Sequence, residues 1–190
     1  MRKLVLAMVF AVGAAGLTAV VPSLAGDGPG PLPPALQQVH DAVARFNSFE
    51  QAERAGYLLP PGEACVASPA GTMGFHVINP ARLADLDVDP LRPEILLYAP
   101  NENGKLKFAG IEYWAIALAK NESGPPTPWF SPDPPPLGFF NPAPTLFGQT
   151  FDGPMPGHNA EMPWHYDLHV WVPDRNPSGL FAPFNPALSC

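Results

Sequence analysis

The stretch Glu94-Ile95-Leu96-Leu97-Tyr98, then Asn101-Glu102-Asn103-Gly104, then Lys105-Leu106-Lys107-Phe108-Ala109-Gly110-Ile111-Glu112-Tyr113-Trp114-Ala115-Ile116-Ala117 decides the fold. Two runs rich in aliphatic and aromatic residues flank an Asn-Gly pair. That pair is a strong hairpin signal, because both residues tolerate the positive φ of a tight turn. The reading is an antiparallel hairpin over 94–98 and 105–117, turning at Asn103-Gly104. Within its second strand, Glu112 alternates with Ile111 and Tyr113 and shares a face with Gly110 and Trp114. A carboxylate in so apolar a strand is costly to bury unless it is paired or ligating.

Moving outward, residues 164–172 form a second clear strand by alternation. His165, Asp167, His169 and Trp171 fall on one face, and Tyr166, Leu168, Val170 and Val172 on the other. Residues 73–78 form a third, with His76 on the face of Gly74. Asn79-Pro80 then reads as an N-cap and first helical position opening one turn through Asp85. Over 35–57, Leu36, Val39, Val43 and Phe46 recur at helical spacing. Ser48 and Gln51 look like a capping box and Gly56 like a stop, so two short helices are expected, broken near Asn47. No alternating helix–strand rhythm supports a doubly wound sheet.

The segment 124–163 holds twelve of the 28 prolines and almost no period. Its aromatics Trp129, Phe130, Phe139, Phe140, Phe147 and Phe151 favour an ordered, polyproline-like wrap over disorder. The expected fold is therefore α+β: two short N-terminal helices packed on a mainly antiparallel sheet or partial barrel, with a long proline-rich wrapping loop.

The first residues read as a signal peptide over 1–25. Arg2 and Lys3 precede an uncharged run from residue 4 to 21, and Pro22-Ser23-Leu24-Ala25 offers a cleavage site after Ala25. Removing 25 of 190 residues leaves 165, enough for one exported domain over 26–190 with its own core. Eight basic and 17 acidic residues would remain, a net charge of −9. Such a balance disfavours nucleic acid and, after signal cleavage, anionic membrane surfaces. In a secreted or periplasmic protein, Cys65 and Cys190 read most simply as one disulfide. A reactive or metal-binding thiol is the competing reading.

The common catalytic signatures are missing from the sequence: no phosphate-cradling Gly-Lys-Ser/Thr loop, no Gly-x-Ser-x-Gly, no Cys-x-x-Cys and no His-Glu-x-x-His. Histidines remain, and His158, His165 and His169 cluster. Positions i and i+4 on a strand lie about 13 Å apart, so His165 and His169 need help from other strands to share one ion. His76 and Glu112 can supply it. The candidate metal site is thus His76, Glu112, His165 and His169, a His/carboxylate set that suits zinc, iron or manganese. Gly74 and Gly110 read as making room beside it. On a straight strand, one of the two later histidines would instead orient a ligand.

Other readings stand beside this one. The histidines can be satisfied core residues, with Glu112 paired to an arginine. Met155, His158, Met162 and His165 form a softer donor set that suits copper and an exported copper carrier. A third class needs no metal, namely an extracellular module binding a small molecule or polymer through its aromatic and proline-rich loops. Whether the chain is an enzyme or a binding protein is open at this level.

The segments Ala44 to Tyr57, Cys65-Val66, Gly71-Thr72-Met73-Gly74-Phe75-His76-Val77-Ile78-Asn79-Pro80, Phe151-Asp152-Gly153-Pro154-Met155-Pro156-Gly157-His158 and His165-Tyr166-Asp167-Leu168-His169-Val170-Trp171, with Asn185-Pro186 and Cys190, together resemble a family of exported bacterial hypothetical proteins. The resemblance spans nearly the whole exported chain. It implies one domain, and it carries no catalytic residue or ligand set onto this sequence.

Overall fold

The computed structural model describes residues 31–190, so the signal-peptide expectation over 1–25 lies outside the described residues. Along the chain come α1 (Pro34–Val43), a 3-10 turn (Ala44–Asn47), α2 (Phe49–Arg54), β1 (Val66–Ser68), β2 (Gly71–Ile78), α3 (Pro80–Leu83), β3 (Ile95–Pro100) and β4 (Leu106–Ile116). They are followed by β5 (Leu118–Ala119), β6 (Thr127–Pro128), β7 (Thr145–Leu146), β8 (Gln149–Thr150), β9 (Asp152–Met155) and β10 (His165–Val170). The main sheet has six strands in the order β1-β2-β3-β4-β10-β9, and every neighbouring pair is antiparallel.

The β3–β4 hairpin closes differently from a two-residue turn. Asn101 N–H donates to Lys105 O at 2.8 Å and Gly104 N–H to Asn101 O at 2.8 Å, while the Asn101 side chain accepts from the N–H groups of Asn103 and Lys105. Gly104 takes φ +72° at the end of this three-residue loop, where a side chain would be strained. Further along β4, Leu97 pairs with Gly110 and Tyr98 with Phe108, leaving Ala109 as the bulged residue. Beyond the bulge, Gly110, Glu112 and Trp114 share one face.

Alternation divides the sheet chemically. One side carries Val77, Leu96, Tyr98, Phe108, Ile111, Tyr113, Tyr166, Leu168 and Val170, in a single cluster with Leu36, Val39 and Val43 of α1 and with Phe46. Ring contacts tie these parts: Phe46 meets Phe108 at 6.3 Å edge-on, and Phe49 meets Tyr98 at 5.1 Å. The other side carries a smaller cluster, Ile95, Leu97, Ala99, Ala109, Trp114 and Trp171.

Local chemistry matches some sequence signals and not others. Asn79 caps α3, its side-chain oxygen accepting from Arg82 N–H at 3.4 Å with Pro80 behind it. Ser48 stands at the N-cap of α2, but its side chain makes no cap bond. The Gln51 N–H that it would receive goes instead to the Ser48 backbone carbonyl at 3.0 Å. The proline-rich segment makes short ribbons, β6 pairing back onto β5 and β7 with β8, and then adds β9 at the sheet edge. An edge position tolerates Pro154, which has no N–H to give a neighbour.

The end of the chain returns to the sheet. Asn185 and Thr72 exchange both backbone hydrogen bonds at 3.0 Å, and Cys190 is joined to Cys65 with Cα atoms 5.8 Å apart. Among the described residues, no helix is long and apolar enough to cross a membrane.

Candidate metal centre

Register places the polar side chains. Glu112 of β4 lies between Ile95 of β3 and His169 of β10. His76 of β2 pairs with Leu97, which pairs in turn with Gly110. His76 and Glu112 therefore face the same side, two strands apart with β3 between them and one row offset. Two strands of separation amount to about 10 Å between backbones, and the two long side chains lean across Ile95 and Leu97 to close it.

Glu112 Oε2 lies 3.2 Å from His76 Nε2 and 3.6 Å from His169 Nε2. All three residues are buried, and one ligand atom from each falls within 4.8 Å of the others. Glu112 Oε2 and His169 Nε2 nevertheless have no hydrogen-bond partner. The atoms are close without being aimed at one another, as expected of groups that converge on a common point. Around an ion with bonds of about 2.0–2.1 Å, tetrahedral ligand atoms sit roughly 3.4 Å apart. The observed separations bracket that edge length. A buried His76/Glu112/His169 group that can hold a metal ion is the central feature of this face.

A carboxyl group lies near the outer nitrogen of each histidine: Glu63 Oε1 is 3.5 Å from His76 Nδ1, and Asp167 Oδ1 is 3.9 Å from His169 Nδ1. Glu63 stands where a carboxylate orients a metal-binding imidazole, whereas His169 Nδ1 is left without a hydrogen bond. Glu63 comes from the loop before Cys65 and had no pattern in the sequence to single it out.

Electrostatics follow from burial and from this pairing. Burial pushes Glu112 up, but His76 and then His169 outweigh it and hold the carboxyl near 2. Burial disfavours charge on His76, yet Glu112 and Glu63 raise it to about 10. His169 is lowered, chiefly by burial, and stays a neutral base. Asp167 is pushed up to about 8 by burial and then by Glu112 and Asp152. The site is thus an ionised carboxylate against a protonated His76, and an ion entering it would release that proton.

His165 lies on the same face but outside the close group of three. Its Nδ1 is 3.1 Å from Pro163 O. A carbonyl only accepts, so Nδ1 carries the hydrogen and Nε2 is a bare, buried, unpartnered acceptor. Its ring stacks on Trp114 at 5.7 Å and meets His158 edge-on at 6.0 Å. His158, exposed on the β9–β10 connection, also lies 6.3 Å from the His76 ring. Of the softer donor set, Met155 sits on edge strand β9 opposite His165, and Met162 packs against the Ile95–Trp114 cluster while lining the same cleft as His158.

The two glycines do different work from the one expected. A Cβ on Gly74 (φ +99°) would stand 2.4 Å from Tyr98 O, so this glycine lets β2 approach β3. A Cβ on Gly110 would meet the Trp171 ring at 2.9 Å. The space Gly110 leaves is filled by that ring, which stacks on His169 at 6.4 Å.

A cleft of about 690 Å³ adjoins the group, with His76, Glu112 and Trp114 among its lining residues together with Glu63 and Met162. His169 is buried and does not line it. No family model matches the chain, and neither the curated proteins nor the solved structures compared with it contain a match.

Proposed function

We propose that this is an exported, single-domain protein that binds one transition-metal ion through His76, Glu112 and His169, with the remaining coordination positions turned toward the cleft. The observation that carries the reading is the convergence of ligand atoms from three strands at 3.2 and 3.6 Å, with Glu112 Oε2 and His169 Nε2 buried and unpartnered. Two imidazoles and one carboxylate suit zinc, iron or manganese, and three protein ligands leave positions free for water or a small molecule. Copper fits less well, since the thioether of Met162 is engaged in apolar packing. An ion so placed would polarise a bound oxygen or acidify a bound water. The adjoining cleft favours a protein that brings a small molecule to the ion over a simple carrier, and its volume lies in the ordinary range for such sites.

Elemental analysis of protein purified without chelator or affinity tag tests the reading. One ion per chain is expected, lost in Glu112→Gln and in His169→Ala. The reading fails if no ion is found and added zinc, iron(II) or manganese leaves the melting temperature unchanged.

A further inference from the structure

The group of three takes its ligands from strands, and a loop at the cleft brings a further imidazole beside it. His158 is exposed and lines the cleft. Its ring meets that of His76 edge-on at 6.3 Å and that of His165 edge-on at 6.0 Å. Of these neighbours, His165 is already fixed. Its Nδ1 faces Pro163 O, its ring stacks on Trp114, and it is fully buried away from the cleft. His158 carries no such restraint and has its place on the cleft side.

The loop that presents it is pinned to this face of the sheet. Gly157 presses its backbone on Met162, where a Cβ would collide with the Met162 carbonyl. Inside the loop, Asn159 Oδ1 accepts from Glu161 N–H at 3.0 Å, and Met162 N–H donates to Asn159 O at 3.3 Å. Met162 in turn packs on the Ile95–Trp114 cluster. The tip 158–161 is thus closed at its base and anchored to the face that carries Glu112. A bound imidazole puts its ring centre about 3.2 Å from an ion, so two on one tetrahedral ion have centres roughly 5 Å apart. The 6.3 Å between His76 and His158 exceeds that by about 1 Å, a distance that rotation of an exposed side chain covers.

We propose that His158 is a fourth protein ligand, turning toward the His76/Glu112/His169 group when an ion is bound there and capping it from the cleft side. The inference rests on the metal reading and deepens it: the ion is then held by three imidazoles and one carboxylate. An octahedral ion so held keeps positions for a small molecule, whereas a tetrahedral one is closed by protein alone.

Cobalt(II), whose visible absorption reports the number and geometry of its ligands, is a suitable probe for the full chain. His158→Ala should bind it about tenfold or more weakly than wild type, with a changed spectrum, and added imidazole should restore the wild-type spectrum. Paramagnetically shifted ring signals should come from three histidines in wild type and from two in the variant. In chelator the variant should melt with wild type, because only an exposed side chain has been removed. Should that melt fall, His158→Gln takes its place in the titration. Glu112→Gln and His169→Ala, titrated alongside, separate the two readings. Cobalt weakened by those two substitutions, but bound by His158→Ala with wild-type affinity and spectrum, overturns this inference and leaves the metal reading in place. A wild type that takes up no cobalt overturns both.

Discussion

In the core between helices and sheet, four tyrosines each end on a backbone carbonyl: Tyr57 on Pro93, Tyr98 on Phe46, Tyr113 on Pro90 and Tyr166 on Asn141. On the opposite face, Glu112 Oε2, both ring nitrogens of His169, His165 Nε2 and Trp114 Nε1 have no such partner. The same sheet, built by one alternating pattern, satisfies its buried polar atoms on one side and leaves them converging on the other. The carboxylates show the same contrast. Glu94 lies near Tyr57 and Tyr113 and accepts from Trp114 backbone N–H at 3.1 Å, yet burial lifts its carboxyl to about 7. Glu112 is equally buried but stays ionised, because histidines surround it. One face is built for packing; the other holds charge in readiness for a ligand.

The largest expected effect comes from the clamp on the cleft side. The disulfide spans 125 residues and fixes the end of the chain beside Glu63, Ala64 and Val66, which wall the cleft. Thiol counting of denatured, unreduced protein should find none free. Cys190→Ser should cost about 4–5 kcal/mol on the chain-entropy model. Hydrogen exchange should quicken around residues 63–66 while α1 stays protected. Equal loss of protection on both faces would show that the clamp serves the whole fold and not this wall.

Next comes the pH test of the packed face. In the unfolded chain Glu94 titrates near 4.5, and in the folded protein near 7. As pH rises through that window the unfolded state loses its proton first, so folding is progressively weakened, and the full loss is present above pH 7. Glu94→Gln keeps an acceptor for Trp114 N–H and removes the titration. In chelator its stability relative to wild type should therefore grow between pH 4.5 and 7, on the order of 3 kcal/mol in total, and stay flat outside. Urea midpoints at pH 4, 6 and 8 measure it, and a gap that shrinks with rising pH contradicts the assigned burial.

The ion tests the converging face. At a free concentration a hundredfold above its dissociation constant, an ion binding only the folded state adds about 2.7 kcal/mol. Wild type should show that gain in a metal-titrated melt, and Glu112→Gln should show none. In chelator the variant should be less stable than wild type, because the substitution breaks the buried pair between Glu112 and the protonated His76. A variant still stabilised by the ion would move the site elsewhere on the sheet.

Much of this contrast was legible in the sequence because alternation is a strict geometric rule. The two faces of 164–172, and the place of Glu112 beside Gly110 and Trp114, follow from the period of two. The bulge at Ala109 lies before Glu112 and so does not disturb them. The hairpin was legible from Asn103-Gly104, although the Asn101 side chain makes the turn longer than the dipeptide suggests. What stayed hidden depends on contacts distant in sequence. Glu63 behind His76 and His158 between His76 and His165 come from loops, which have no period to read. The two glycines were misread for the same reason, since a missing side chain does not say whether a ligand, a backbone or a tryptophan ring takes its place. Strand β9 escaped notice because Gly153-Pro154 carries the usual marks of a turn.

The smallest effect is the most direct check on the packed face. Tyr98 is fully buried, and its hydroxyl donates to Phe46 O at 2.6 Å, joining β3 to the 3-10 turn that precedes α2. Tyr98→Phe keeps the ring contacts with Phe49 and Phe108 and removes the donor alone. The Phe46 carbonyl then loses this partner, at a cost of about 1–2 kcal/mol. Nothing in that bond involves Glu112 or the histidines, so the loss should be the same in chelator and with saturating ion. The two variants then form a cycle: Tyr98→Phe and Glu112→Gln should be additive in chelator, because residues on opposite faces share no partner. A Tyr98→Phe cost that changes with the ion would mean the faces are coupled through β3 and β4, and the division between a packing face and a ligand face would have to be abandoned.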